Sequence, residues 1–326
     1  MSMGATRPGF VGLTGAPPRQ LVGRCPRCGV DHHVQNAVDL AVAALEGVFG
    51  DLLADVVWPG LGQRVLECHG KMVGVLLARD SAGRSHRLLA YSGDLQGGAA
   101  WPGWVDGVML RGQLAELEAQ TLERIAALDA QLEASDVATH QAALAAVERE
   151  VAAEAAVRRP KVLAARQARG LMRRDGVPEA EVARLALETK TVNAAAMAAE
   201  EARLEAARAA VEAALARDRG LRAQRAAASA RLMAAMFDVT LLTSARGETR
   251  RLRDVFVGGG IASGTGECAA PKLLHAANTR GLTPVAMAEA WWGPTTAVRR
   301  MGEISAPCTR KCVPILGHLL CGVVAP

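Results

Sequence analysis

The stretch from Gln113 to Met236 constrains this chain more than any other feature. It is built almost entirely of alanine, leucine, arginine and glutamate, residues that lose little on entering a helix. Ile125 and Leu132, then Val137, Leu144 and Val151, recur at intervals of seven, with Leu117, Leu128 and Val147 between them. Leu204, Val211 and Leu215 continue the same seven-and-four spacing. That spacing predicts coiled-coil-like packing, shallow because the seam is rich in alanine. Breaks are expected near Pro160 and at "RDGVPEAE", where Pro178 ahead of Glu179 reads as a new helix start. The simplest arrangement is two long helices packed antiparallel as an arm, and a helix from Leu114 to Val157 would run roughly 65 Å. A compact helical bundle is the alternative.

Between the two helices lies "RRPKVLAARQARGLMRR", which carries Arg158, Arg159, Lys161, Arg166, Arg169, Arg173 and Arg174 and no acid. A one-signed block of this density attracts a phosphate backbone, so RNA is the expected partner. Charge runs are otherwise solvated helix faces. The net charge of +5 permits a nucleic-acid partner without requiring one.

The flanks read differently. Before the helical run, "NAVDLAVAALEGVFGDLLADV" has helical spacing, with Asn36 as a candidate cap. Val73, Val75 and Leu77 alternate, Asp80 to Gly83 offer a turn, and Leu88 to Tyr91 return, which is a β-hairpin pattern. Residues 1–20, rich in Pro, Gly and Thr, read as a loose arm. After the run, "FDVTLLTSARGETRRLRDVF" reads as strand, turn and strand. "CAAPKLLHAANTRG" reads as a helix ending at Gly281, "TPVAMAEAWWG" as a strand, and "PCTRKCVPILGHLLCG" as the start of another helix. The fold class expected is α+β. It comprises an N-terminal segment over 1–110, a helical arm over 111–236 and a C-terminal module over 237–326. The similar strand patterns on both sides of the arm predict that the N-terminal hairpin packs against the C-terminal module.

No basic stretch followed by an apolar core opens the chain, and no apolar run approaches the ~20 residues needed to span a bilayer. The expectation is a soluble cytoplasmic protein without a membrane partner. Its seven cysteines are then free or metal-bound rather than disulfide-bonded.

Cys268 starts one helix, and Cys308 and Cys312 open the next directly after Pro307. Three thiolates suit Zn2+, with a fourth position closed in a structural site and open in a catalytic one. Four-residue spacing would place Cys308 and Cys312 on one helix face. Small buried cysteines that bind nothing are the alternative. The order of β-hairpin, Cys-led helix, strand and Pro-Cys-led helix resembles the zinc-dependent nucleobase deaminase fold, over about the last ninety residues. In that family a ligand, Ala and Glu occupy the first helix, the Glu shuttles protons, and Pro-Cys-x-x-Cys opens the second. Cys268-Ala269 and Pro307-Cys308 match. The shuttle position holds Ala270, and three residues rather than two separate Cys308 from Cys312. Glu267 is the first candidate to supply the missing carboxylate, and Glu289 on the next strand the second.

A second resemblance covers more of the chain. "GKMVGVLLARDSAGR", "AYSGDL", "SARGETRRLRDVF", "GTGECAAPKLLHAA", "AMAEAWWG" and "APCTRKCVPILGHLL" look, in this order, like the N-terminal region of some bacterial RluA-type pseudouridine synthases. The resemblance implies an RNA-modification-associated protein and a separate pseudouridine synthase as a partner. It does not imply isomerisation of uridine by this chain: "SHRLLAYSGDL" carries Leu89 where the synthase nucleophile would be an aspartate.

Smaller signals remain. Cys25, Cys28, His32 and His33 in "CPRCGVDHH", and Cys68 and His69 in "ECHG", offer a knuckle that could hold a second zinc. Trp101, Trp104, Trp291 and Trp292 fit a core better than base stacking. "GGGIASGTG" lacks the Lys-Ser/Thr of a phosphate-binding loop.

Overall fold

Two stretches of sequence on opposite sides of the helical run build a single sheet. In the computed structural model, which describes residues 12–95 and 100–323, β3 (Lys71–Arg79) and β4 (Ser85–Tyr91) form the expected hairpin. β3 also pairs antiparallel with β7 (Thr283–Trp292), giving the order β4-β3-β7. The hairpin turns at Asp80, whose Oδ1 accepts from the Ala82 and Arg84 N–H groups at 2.9 Å each. Residues 1–11 of the expected N-terminal arm lie outside the described residues. Thr14, within that arm, is not loose: it bridges to Glu303, and its N–H donates to the Gly302 carbonyl at 3.0 Å.

Strand alternation sorts the core into two layers. Val73 and Val75 of β3 and Ala286, Ala288 and Trp292 of β7 face α1 (Val38–Ala54), whose Leu45, Val48 and Phe49 are buried there. Phe49 meets the Trp292 ring edge-on at 5.1 Å. Leu76 and Ala78 of β3 and Met287 of β7 face α7 (Ala269–Thr279) and α8 (Val313–Leu319), which contribute Leu273, Leu274, Ile315 and Leu316. Each such fully buried leucine or isoleucine adds about 1.5–3 kcal/mol of apolar burial. Asn36 does not cap α1, which starts from Ala37. Its buried amide instead brackets Met287, donating to the carbonyl at 3.0 Å and accepting from the N–H at 2.7 Å. A short helix, α2 (Leu61–Glu67), packs near Trp292, whose Nε1 donates to the Gly62 carbonyl at 3.1 Å.

Two smaller hairpins complete this unit. β1 (Gln20–Arg24) pairs with β2 (Asp31–Gln35), and β5 (Leu241–Thr243) pairs with β6 (Thr249–Arg251), followed by a single turn, α6 (Leu252–Val255). The hairpin that joins the Cys-led elements in one sheet is thus β3–β4, from before the helical run. The β5–β6 hairpin stands apart as its own two-stranded sheet. Segments 1–110 and 237–326 are brought together: Met1–Glu118 with Arg231–Pro326 form one compact unit and Ala119–Ala230 the other.

The second unit takes most of α3 (Ala115–Glu133), all of α4 (Val137–Arg174) and α5 (Glu179–Val239) as far as Ala230. α5 alone has 61 residues, about 90 Å of helix. From Asp129 on, polar pairs descend one side as they climb the other: Asp129 with Arg225, Asp136 with Arg217, Glu154 with Arg203, Arg158 with Glu200 and Arg169 with Thr189. α5 therefore runs antiparallel to α3 and α4. The break before α4 falls at Ser135 and Asp136, not at Pro160, which sits inside α4. Asp136 is the N-cap residue of α4 and makes no side-chain cap bond, its carboxylate pairing instead with Arg217 and His140. Pro160 lies inside α4 between the ion pairs of Glu154 and Arg158 with α5 on one side and the Arg169–Thr189 hydrogen bond on the other, which hold α4 against α5. Among the described residues, no helix is long and apolar enough to cross a membrane.

Candidate metal centre

The turn "SGTGEC" delivers Cys268 to the sheet. Gly266 adopts φ +93°, and a Cβ there would meet Val108 at 3.1 Å and Thr240 at 3.2 Å, so the approach to α7 requires glycine. Cys268 is the extended residue just before α7. Gly74 of β3 admits the first turn of that helix, since a Cβ would lie 3.0 Å from Ala269 Cβ. From the other side, the Ser305 N–H donates to the Glu289 carbonyl at 3.0 Å and leads the chain past Pro307 to Cys308. Cys308 and Cys312 do not share a helix face, because α8 begins only at Val313. They close one turn ahead of it, the Cys312 and Val313 N–H groups donating to the Cys308 carbonyl at 3.0 and 3.1 Å.

The structure brings the three predicted thiols together: the sulfurs of Cys268, Cys308 and Cys312 all lie within 4.8 Å of one another, and Cys308 Sγ is 3.4 Å from Cys312 Sγ. Tetrahedral coordination at the usual zinc–sulfur distance spaces thiolates about 3.8 Å apart. The three residues thus fit a thiophilic cation by donor type and by spacing. Among the described residues no fourth Cys, His, Asp or Glu joins the group. Cys308 is pushed down to about 2 by hydrogen bonds from the Cys268 and Cys312 thiols, which makes it the natural thiolate of the trio. Cys268 is pushed up to about 12, first by its bond to Cys308 and then by burial.

The thiols lie in a cavity of about 720 Å³ that Glu289, Trp291 and Arg299 also line. β7 alternation puts Glu289 on the α7 face beside Met287 and opposite Gly74. The Glu289 side chain is buried, and the backbone N–H of Ala270 donates to it. Its Oε2 has no hydrogen-bond partner among the described residues. Burial raises this carboxyl to about 7, against the Ala270 hydrogen bond. The Ala270 N–H thus holds a carboxylate supplied from β7.

Glu267, the first candidate, also borders this cavity, but its carboxylate is held by other groups. Its Oε1 accepts from the Met109 N–H at 3.0 Å and its Oε2 lies 3.3 Å from Lys272 Nζ, both side chains buried. Lys272 in turn donates to the carbonyls of Tyr91, at 3.2 Å, and Gly93. Burial lowers the Lys272 pKa, opposed by the Glu267 charge. Glu267 is therefore a structural tie between α7, the end of β4 and the loop at Met109.

The other expected residues are dispersed or partly satisfied. Of the basic block, Arg158, Arg169 and Arg173 bond to Glu200, Thr189 and Glu179. Arg159, Lys161, Arg166 and Arg174 have no such partner among the described residues. Trp292 and Trp104 are core residues. Trp291 borders the thiol cavity, with the Arg299 guanidinium 4.7 Å from its ring. Cys25, Cys28 and His32 do meet, but their fourth neighbour is Cys321, not His33, Cys68 or His69. No family model, curated protein or solved structure matches the chain.

Proposed function

We propose that this chain is a metal-dependent hydrolase of the nucleobase-deaminase type, acting on a base carried by a nucleotide or RNA. The observation that carries the proposal is the buried Oε2 of Glu289, unpartnered among the described residues, beside three converging thiols that no fourth ligand among those residues closes. Cys268, Cys308 and Cys312 would hold Zn2+, which when bound would supply a water of near-neutral pKa at its one open position. Glu289 takes the proton of the attacking water at Oε2 and passes it to the departing amine. Water adds to the ring carbon, the carbon–nitrogen bond breaks, and ammonia leaves. The Ala270 N–H holds the carboxylate in place throughout. Trp291, backed by Arg299, offers a face for the base. Lys71, Arg310 and Lys311 line the same cavity and suit a phosphate. The reduced thiols that this chemistry needs agree with a cytoplasmic location.

A second reading makes the same zinc structural and the chain a non-catalytic RNA-modification-associated protein. This follows its likeness to the N-terminal region of RluA-type synthases and includes a separate synthase as partner. The cations of α4 that have no hydrogen-bond or ion-pair partner within 4 Å among the described residues, Arg159, Lys161, Arg166 and Arg174, favour it.

The test is ammonia release from cytidine, adenosine, their nucleotides and RNA by the zinc-loaded chain. Glu289→Gln is expected to lower the rate about 10²–10⁴-fold with its metal content unchanged. Glu267→Gln is expected to keep the activity and lose thermal stability. If the zinc-loaded wild type releases no ammonia from any of these, the hydrolase reading is wrong. RNA gel shifts comparing wild type with R159A/R166A/R174A then test the second reading.

A further inference from the structure

The "CPRCG" knuckle between β1 and β2 ends at the same point in space as the residue that follows α8. The ligand atoms of Cys25, Cys28, His32 and Cys321 all lie within 4.8 Å of one another, and Cys28 Sγ is 3.1 Å from His32 Nε2. We infer that these four residues form a second metal centre, closed and structural, that takes Zn2+ and staples the N-terminal hairpin to the C-terminal helix.

The knuckle is shaped for this. The Gly29 N–H donates to the Cys25 carbonyl at 2.9 Å, the Cys25 N–H donates to the Val30 carbonyl at 2.9 Å, and Gly29 takes φ +70°. The chain therefore reverses within the five residues from Cys25 to Gly29, and both sulfurs can turn toward one point. On β2, alternation sends His32 and His33 to opposite faces, so only one imidazole can join. His32 is half-buried and His33 exposed.

Cys321 arrives from the other end of the chain. α8 lies directly on β1: a Cβ on Gly317 would fall 1.9 Å from the Arg24 carbonyl oxygen, and one on Gly23 would fall 2.2 Å from the Gly317 nitrogen. Backbone packing this close has no room for side chains, and it carries Cys321 to the knuckle. Cys25 and Cys321 are buried, at 0% and 2% exposure, His32 is half-buried and Cys28 is exposed. Three sulfurs and one imidazole make a complete tetrahedral donor set with no open position, which is the pattern of a structural rather than a catalytic zinc. No carboxylate joins the group among the described residues, and no acid–base chemistry is assigned to it.

Metal binding of this kind adds its free energy to folding wherever the ligands are assembled only in the native state. The stapled elements are the hairpin and α8, so the centre stabilises the seam between the two ends of the first unit.

The experiment is metal stoichiometry on the purified full chain, read with cobalt(II) in place of zinc. Wild type is expected to bind two equivalents. C28A/H32A is expected to bind one, with the absorption of a three-sulfur, one-nitrogen site removed. Because that variant can fail to fold, His32→Cys supplies the second arm: it retains two equivalents, and the cobalt ligand-field bands move toward those of a four-sulfur site. C268S/C308S is expected to lose the other equivalent and leave the three-sulfur, one-nitrogen spectrum intact, which separates this centre from the proposed catalytic one. Two equivalents in C28A/H32A, an unshifted spectrum in His32→Cys, or a Cys25–Cys321 disulfide in the purified protein would each overturn the inference.

Discussion

The seam between β1 and α8 can be tested by adding a single methyl group. Gly23→Ala places a Cβ 2.2 Å from the Gly317 nitrogen and 2.7 Å from the Leu316 carbonyl carbon, both backbone atoms that cannot rotate away. Ordinary Cβ contacts begin near 3.4 Å, so β1 must withdraw from α8 by about 1.2 Å, the difference between 3.4 and 2.2. Metal–ligand distances tolerate about 0.2 Å. A withdrawal several times larger separates Cys25 and Cys28 from Cys321. The overpacking itself costs about 1–3 kcal/mol, and at about 2–4 °C per kcal/mol for a unit of this size the melting temperature falls by roughly 2–12 °C. Metal analysis alongside a thermal melt reads both effects. One equivalent of metal is expected to leave, while Cys268, Cys308 and Cys312, held by α7 and the turn after β7, keep theirs. Gly317→Ala, with its Cβ only 1.9 Å from the Arg24 carbonyl oxygen, should do more damage in the same direction. A Gly23→Ala protein with two equivalents of metal and an unchanged melting temperature would refute the argument that this backbone contact assembles the second centre.

Pro160 interrupts the hydrogen-bond ladder of α4, so Pro160→Ala is expected to stabilise the helical unit by up to about 3 kcal/mol, read as a higher denaturant midpoint for the helical signal. Burial holds the His275 pKa below its usual value, opposed by the Glu267 charge, and its Nδ1 accepts from the Thr243 N–H at 3.0 Å. The unfolded chain therefore binds the extra proton first. The stability from His275 is present above the unfolded pKa of about 6.5 and is lost as pH falls below it. His275→Asn, which keeps an acceptor, should reduce the loss of stability between pH 7.5 and pH 5 at constant metal loading. An unchanged pH slope would exclude this role.

Local patterns were legible where one stretch of chain satisfies itself. The hairpin at Asp80, the restart after Pro178, the Cys268-led helix and β7 all follow from alternation, turn residues and helix-start signals. These act over a few residues and need no partner. Pro160 and Asn36 were misleading for the opposite reason. Each carries a strong local preference that a tertiary partner overrides, α5 for Pro160 and β7 for Asn36.

The candidate sites divide in the same way. The amino-acid sequence alone determined that this chain carries long helices and an α+β remainder, because these are short-range patterns of residue types; it named Cys268, Cys308 and Cys312 as candidate ligands, and only the fold brings Cys268 to the other two across forty residues. Only the tertiary structure decided which carboxylate faces those thiols. Glu267 and Glu289 are equally acidic on paper, but Lys272 and the Met109 N–H capture the first, and strand register aims the second at the Ala270 N–H. Only the tertiary structure, too, joined Cys321 to a knuckle that lies almost the whole chain away. Two glycines at a helix–strand contact made that juxtaposition, and no spacing rule reaches across so great a separation.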